Sequence, residues 1–199
     1  MHELGVLCQI VKKVNKIALE NEIEQLKHIT LEVGEASSFV SVMEADIDSA
    51  VDAETMLQAG VRSIQIHTGG MCHLDAQMTA QGLDELELHD TELVVLENVG
   101  NLVCPAEFDT GACKNMTILS VPEGHDKPLK YPLMYETCDL LVINKVDVME
   151  YFDFDREKVV EYAKMRNPEI EILFVSAKTG EGIDKLAAWI LNQIKEWNQ

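Results

Sequence analysis

The stretch Leu140-Leu141-Val142-Ile143-Asn144-Lys145-Val146-Asp147 decides how this chain is read. An unbroken apolar run with β-branched members suits a strand buried on both faces of a parallel sheet. The Asn-Lys-x-Asp that follows then stands at the carboxyl end of that strand, where open α/β sheets bind their ligands. A carboxylate there can accept both the N1–H and the N2 amino group of guanine, a pair that adenine does not offer. A second run, Ile170-Glu171-Ile172-Leu173-Phe174-Val175, ends in Ser176-Ala177-Lys178-Thr179-Gly180. Its backbone N–H groups are expected to meet the guanine O6. Taken alone, Asn144–Asp147 could be a solvated turn at a strand end. The second motif, at the next strand end, argues for a base pocket.

Outward from these motifs the pattern alternates. Strands are expected at 41–46, 61–66, 92–97, 116–121, 139–144 and 170–175, and helices at 50–59, 73–82, 128–137, 155–165 and 182–196. Such alternation predicts an α/β fold with a largely parallel sheet and helices on both faces. Ahead of it, Leu4, Leu7, Val11, Val14 and Ile17-Ala18 recur at helical spacing and predict a helix over about 4–21. Ile29, Leu31 and Val33 alternate as in a strand, and Gly34-Glu35-Ala36-Ser37-Ser38 reads as a turn or linker. The chain is thereby divided into a small α-β module over 1–40 and a larger domain over 41–199. The short link invites the 29–33 strand to dock on the larger sheet, with Leu7, Val11 and Val14 of the helix covering it.

The chain has 199 residues, 47% of them hydrophobic, enough for a real core. Its net charge of −19 makes nucleic acid and anionic membranes poor partners and cations or basic proteins better ones. No basic-then-apolar leader opens the sequence, and no apolar run approaches the roughly 20 residues that span a bilayer. The cysteines are Cys8, Cys72, Cys104, Cys113 and Cys138. An odd, scattered set without a leader suggests a reducing, cytoplasmic setting in which thiols serve packing or metals.

Three further constellations carry chemistry. In Leu93-Val94-Val95-Leu96-Glu97-Asn98-Val99-Gly100-Asn101 an acid closes a strand and a glycine follows three positions on. In GTP-hydrolysing domains this arrangement orders the magnesium shell and turns the glycine N–H to the γ-phosphate. The plain alternative is a strand end with a glycine turn. Thr68-Gly69-Gly70-Met71-Cys72-His73-Leu74-Asp75 and Leu102-Val103-Cys104-Pro105 together offer two thiols and an imidazole, donors that suit zinc or nickel. Cys72, His73 and Cys104 make only three ligands, so a fourth would come from water or another subunit. The alternative is a buried Cys, a His at a helix start and a loop Cys. Cys104 lies four residues beyond Gly100, in a loop expected to move with the nucleotide. Finally, the amine and imidazole of Met1-His2 could form a planar nitrogen set with backbone amides, a geometry suited to Ni(II), although such a His2 is more often a mobile terminus. One motif is missing from these residues: no GxxxxGK[ST] occurs anywhere in the sequence. Weak GTP binding and weak hydrolysis are therefore expected.

Residues 43–197 resemble the nickel-incorporation GTPase of [NiFe]-hydrogenase maturation, the HypB type. The resemblance is carried by Glu44-Ala45-Asp46, Val51-Asp52-Ala53-Glu54, His67 to Ala76, Glu97 to Pro105 and Glu123-Gly124-His125-Asp126-Lys127-Pro128. It implies a SIMIBI-type P-loop GTPase fold, here lacking its first strand and P-loop, with GTP, Mg2+ and Ni2+ or Zn2+ as ligands. It implies that Cys72, His73 and Cys104 are inter-subunit metal ligands in a homodimer. Asp46, followed by Asp52, would belong to the magnesium and switch region beside Glu97 and Gly100. Asn144, Lys145 and Asp147, with Ser176, Ala177 and Lys178, would select guanine. The implied partners are the hydrogenase large subunit and a nickel metallochaperone. Residues 1–38 resemble the start of that metallochaperone, the HypA type, through Met1-His2-Glu3-Leu4 and Leu31-Glu32-Val33-Gly34-Glu35-Ala36-Ser37. In that family His2 is a nickel ligand and a zinc ribbon with two Cys-x-x-Cys pairs follows. No Cys-x-x-Cys occurs here, so the sequence reads as a junction of the two. The rival expectations are a metal-binding or dimerisation module that does not hydrolyse GTP, and a hybrid without function.

Overall fold

The computed structural model describes residues 9–14, 16–17, 40–46, 61–86, 88 and 91–197. The six strands found there are β1 (Val40–Asp46), β2 (Arg62–His67), β3 (Leu93–Glu97), β4 (Met116–Ser120), β5 (Leu140–Asn144) and β6 (Glu171–Phe174). Each falls within a residue or two of its expected position. The helices are α1 (Ala76–Glu85), α2 (Cys104–Glu107), α3 (Lys127–Lys130), α4 (Pro132–Thr137), α5 (Arg156–Arg166) and α6 (Ile183–Trp197). The expected helix over 128–137 is broken into α3 and α4 at Tyr131, with φ −128° and ψ 60°. Pro132 accounts for the break: it has no N–H and disfavours helical backbone in the residue before it. The expected strand at 29–33 and helix at 50–59 lie outside the described residues.

Every strand pairing is parallel, but the strands form two sheets of three, in the orders β2-β1-β3 and β4-β5-β6. No ladder joins β3 to β4 among the described residues. The two central strands are covered on both faces, as their apolar runs require. Along β5, Leu140 and Val142 enter one core while Leu141 and Ile143 enter another. Along β1, Val40 and Val42 face the first core while Met43 and Ala45 pack with Ile66 and Leu74 in a third. This is the strand period of two, and each such burial contributes roughly 1.5–3 kcal/mol.

Residues 9–14 and 16–17 are helical, as the spacing of Val11 and Val14 predicts. Ile10, Val11 and Val14 are fully buried in the core shared by β1, β5 and α6, against Val42, Val142, Leu186 and Ala187. Lys13 forms an ion pair with Asp184 at the start of α6. The helical residues 9–14 and 16–17 therefore join the two sheets through one hydrophobic centre. No helix of the described residues is long and apolar enough to cross a membrane.

Candidate functional site

The carboxyl ends of the strands divide the chemistry between the two sheets. The second sheet carries the Asn144–Asp147 and Ser176–Lys178 motifs. Asn144 ends β5 and is buried; its side-chain Oδ1 accepts the Lys145 N–H at 2.7 Å and the Ala177 N–H at 3.2 Å. Lys145 holds φ 66° and ψ 39°, the left-handed region, and among the described residues it is the only non-glycine with positive φ. That conformation costs a lysine roughly 1–2 kcal/mol; the Asn144 bond and the Val146 N–H to Val175 carbonyl bond of 3.2 Å offset it. The Ser176 hydroxyl donates to the Asp147 carboxylate at 2.6 Å and accepts the Thr179 N–H at 3.1 Å. Asn144, Lys145, Asp147, Ser176 and Ala177 thus form one bonded corner, with Lys178 exposed on the adjoining turn. The Ala177 N–H, expected to face the guanine O6, is instead bonded to Asn144.

The first sheet carries the thiols. Beyond β2, Thr68 to Met71 make a tight turn closed by the Met71 N–H on the Thr68 carbonyl at 3.2 Å. Gly69 and Gly70 sit there at φ 63° and 89°, where a side chain would be strained. The turn leaves Cys72 exposed, and Asp75 then caps α1 by accepting the Met78 N–H at 2.9 Å. Beyond β3, Cys104 opens α2 with Pro105 in its first turn. The Cys72 and Cys104 sulfurs lie 2.7 Å apart, and His73 Nδ1 lies 4.0 Å from Cys72 Sγ. The His73 ring stacks on Phe108 with centroids 3.5 Å apart. The hydrogen bond shared with Cys72 pushes the Cys104 thiol up from its ordinary value, helped by burial and by the negative charge of Cys72 and Glu107. Two soft sulfurs in contact fit zinc or nickel. Yet no group of three or more His, Cys, Asp or Glu among the described residues is arranged to hold an ion. One chain supplies a partial ligand set.

Glu97 closes β3 in register with Glu44, a largely buried acid inside β1, and Asp46 ends β1 in register with His67. Register partners on parallel strands share a face, so Glu44 and Glu97 stand side by side. Glu44 stands in the quoted motif Glu44-Ala45-Asp46 but was given no role; its other signal was an acid within the apolar run from Val40 to Ala45. Gly100 lies exposed in the loop that follows. Asn98 and Asn101 also escaped the sequence reading. Asn98 Oδ1 accepts the Leu74 N–H at 3.0 Å, and Asn101 Nδ2 donates to the Cys72 carbonyl at 2.8 Å. Their signal is local: asparagines flanking a glycine are turn formers. Cys113 is exposed, while Cys138 is buried and its thiol pushed up to about 12 by that burial, which makes it inert. His2 and Asp52 lie outside the described residues.

Residues 23–174 match the family described as CobW/HypB/UreG, nucleotide-binding domain. The match begins inside the stretch likened above to a metallochaperone. The hydrogenase maturation factor HypB of Escherichia coli strain K12 is 47% identical over 153 residues, which is 77% of this chain and 53% of that protein. The crystal structure of HypB from Helicobacter pylori in complex with nickel superposes with a TM-score of 0.77 at 37% identity, covering 81% of this chain and 77% of that one. The crystal structure of hydrogenase maturation factor HypB from Archaeoglobus fulgidus gives a TM-score of 0.71 at 32% identity, covering 92% and 86%. The chain spans about half the length of the first curated relatives it matches. Its parallel sheets flanked by helices follow the SIMIBI-type P-loop GTPase pattern. By its bonded Asn144–Asp147 corner, its paired thiols and these matches, the chain belongs to the CobW/HypB/UreG nucleotide-binding family, on its HypB side.

Proposed function

We propose that this chain binds a guanine nucleotide and a transition metal and serves nickel insertion into [NiFe]-hydrogenase. The observation that carries the proposal is the meeting of Cys72 and Cys104, 2.7 Å apart, in loops that leave β2 and β3 beside Gly100. A metal held by these sulfurs lies next to the loop that would sense a γ-phosphate. Asp147 would accept the N1–H and N2 amino hydrogens of guanine, with Asn144 and Ser176 holding its loop in place. Glu97 and Asp46, at the ends of neighbouring strands, would order Mg2+ beside the Gly100 N–H. GTP and Mg2+ are the proposed ligands of this face and Ni2+ or Zn2+ of the thiols. The incomplete ligand set of one chain favours a homodimer in which two such faces meet, since a twofold contact brings identical patches together. His73 or its symmetry mate would complete the site after turning from Phe108. The hydrogenase large subunit and a nickel metallochaperone are the proposed partners, in the cytoplasm.

A second reading has its own support. These residues contain no GxxxxGK[ST], and the first strand of such a fold, which leads into that loop, lies inside the sheet. Among the described residues no ladder joins β3 to β4, and an interior strand there would close the two sheets into one. On this reading residues 1–40 are metallochaperone-like in ancestry with His2 as a nickel ligand, and residues 41–199 are a GTPase-like domain that binds metal without efficient hydrolysis. Calorimetric titrations test both. Micromolar GDP binding and stoichiometric Ni2+ binding, the latter lost in Cys72→Ala and Cys104→Ala, are the result expected for the main proposal. Metal binding without nucleotide binding supports the second reading. Unchanged metal stoichiometry in both variants removes the thiol site from either.

A further inference from the structure

We infer that Asn101 is a positioning residue for the thiol pair, a single side-chain amide that holds the backbone of both cysteines beside Gly100. The purpose of this device rests on the metal reading above; its geometry does not. Cys72 and Cys104 are 32 residues apart and belong to loops that leave different strands. Asn101 Nδ2 donates to the Cys72 carbonyl at 2.8 Å. Its Oδ1 accepts the Val103 N–H at 3.1 Å and the Cys104 N–H at 2.9 Å. A primary amide is planar, with donor and acceptor at fixed separation. The spacing of the two thiol-bearing residues is therefore set by one rigid group rather than by two exposed loops.

The same amide is tied to the nucleotide-sensing loop. The Asn101 N–H donates to the Val99 carbonyl at 2.7 Å, closing a tight turn around Gly100. On the other side of that turn, Asn98 Oδ1 accepts the Leu74 N–H at 3.0 Å and the Val99 N–H at 2.8 Å. Val99-Gly100 is thus an arch with an asparagine at each foot, both feet bonded to the Cys72–Leu74 segment. A shift of the arch carries Asn101 with it, and so moves the Cys72 carbonyl relative to the Cys104 N–H. Only glutamine carries the same amide, one methylene further from the backbone. Aspartate keeps the acceptor and loses the donor; serine can still accept from a nearby N–H but is too short to span both loops.

The test is the equilibrium between the 199-residue chain and oxidised glutathione. Formation of one Cys72–Cys104 disulfide gives two electrons and both thiol protons to one glutathione disulfide, releasing two glutathione thiols. The equilibrium constant is the effective concentration of one thiol at the other, read by peptide mapping, and it involves no metal. Asn101→Asp and Asn101→Ser are expected to lower it roughly three- to tenfold, as loss of one hydrogen bond allows, and Asn101→Ala further. Melting temperature and far-ultraviolet circular dichroism are expected to change little in Asn101→Asp, which keeps the volume and the acceptor. Effective concentrations equal to the parent's in Asn101→Asp and Asn101→Ala would overturn the inference. Co2+ titration, followed by the thiolate-to-cobalt charge-transfer band, is expected to weaken in the same order. A parent chain that binds no Co2+, with a disulfide equilibrium that still responds to Asn101, supports the positioning role and removes the metal reading alone.

Discussion

At the scale of single residues, carboxylates of two kinds do different work. Asp147 already accepts the Ser176 hydroxyl, so the proposed base selector is also the brace of its own loop. Replacing it by Asn turns an acceptor toward the N1–H and N2 amino group of guanine into a mixed donor and acceptor. Xanthine carries oxygen where guanine carries the amino group, and matches the new pattern. Asp147→Asn is expected to weaken GDP binding by about 1.5–3 kcal/mol, the worth of hydrogen bonds to a charged group, and to favour xanthosine diphosphate. Competition calorimetry with the two nucleotides checks it; an unchanged preference for GDP would move guanine selection elsewhere. Asp155 is structural. It caps α5 by accepting the Lys158 N–H at 3.0 Å and the Glu157 N–H at 2.9 Å, and those bonds hold its carboxyl below the usual carboxylate range. A depressed folded value means that the cap's pH-dependent stability is present above the unfolded carboxylate value, near pH 4, and is lost as pH falls through the folded value. Asp155→Asn keeps the acceptor without the titration. Its melting temperature is expected to fall less steeply than the parent's below about pH 4. Parallel acid limbs would show that the cap does not titrate.

At the scale of elements, the turn between β6 and α6 sets the guanine loop. Gly182 has φ 74°, and a Cβ there would stand 2.2 Å from the Phe174 carbonyl oxygen at the end of β6. Gly180 has φ 84° and open space around its Cβ position. Gly182→Ala is therefore expected to cost roughly 2–4 kcal/mol, backbone strain plus overpacking, and Gly180→Ala roughly 1–2 kcal/mol, strain alone. Urea unfolding of the pair separates the two effects; equal costs would mean that β6 yields to the new methyl group. Much of this level was legible in the sequence. The strands announced themselves because runs such as Leu140–Ile143 are buried on both faces, and the turn was marked by Gly180 and Gly182. Pro132 carried the break of the 128–137 helix, a signal that the expected helix ran across. The guanine corner and thiol pair were legible because their residue types are chemically scarce. Asn98 and Asn101 were not, because a hydrogen bond to a backbone atom 24 or 29 residues away leaves no periodic trace. The division into two sheets was equally hidden, since strand order is set by packing between elements and by no local pattern.

At the scale of the whole molecule, the net charge of −19 and the proposed metal site bear on the same event. Met71, Val103 and Phe108 are exposed around the thiols, at 40%, 51% and 42%. They offer an apolar rim that a second copy could cover while its sulfurs complete the ligand set. Pairing two chains of this charge is opposed by their mutual repulsion. That repulsion is screened over about 10 Å at 0.1 M salt and about 3 Å at 1 M. The apolar contacts and the metal–sulfur bonds are far less sensitive to salt. Dimerisation in the presence of Ni2+ is therefore expected to tighten as sodium chloride rises from about 0.05 to 0.5 M, by the screening argument. Most charge-driven associations show the opposite trend. Sedimentation velocity on the reduced chain, with and without Ni2+, measures it. Cys72→Ala and Cys104→Ala are expected to stay monomeric at every salt concentration, since each removes one sulfur from both halves of a twofold site. A Ni2+-dependent dimer that dissociates with added salt would mean that ion pairs across the interface hold it. A dimer that persists in both cysteine variants would mean that the apolar rim suffices and the metal is a passenger.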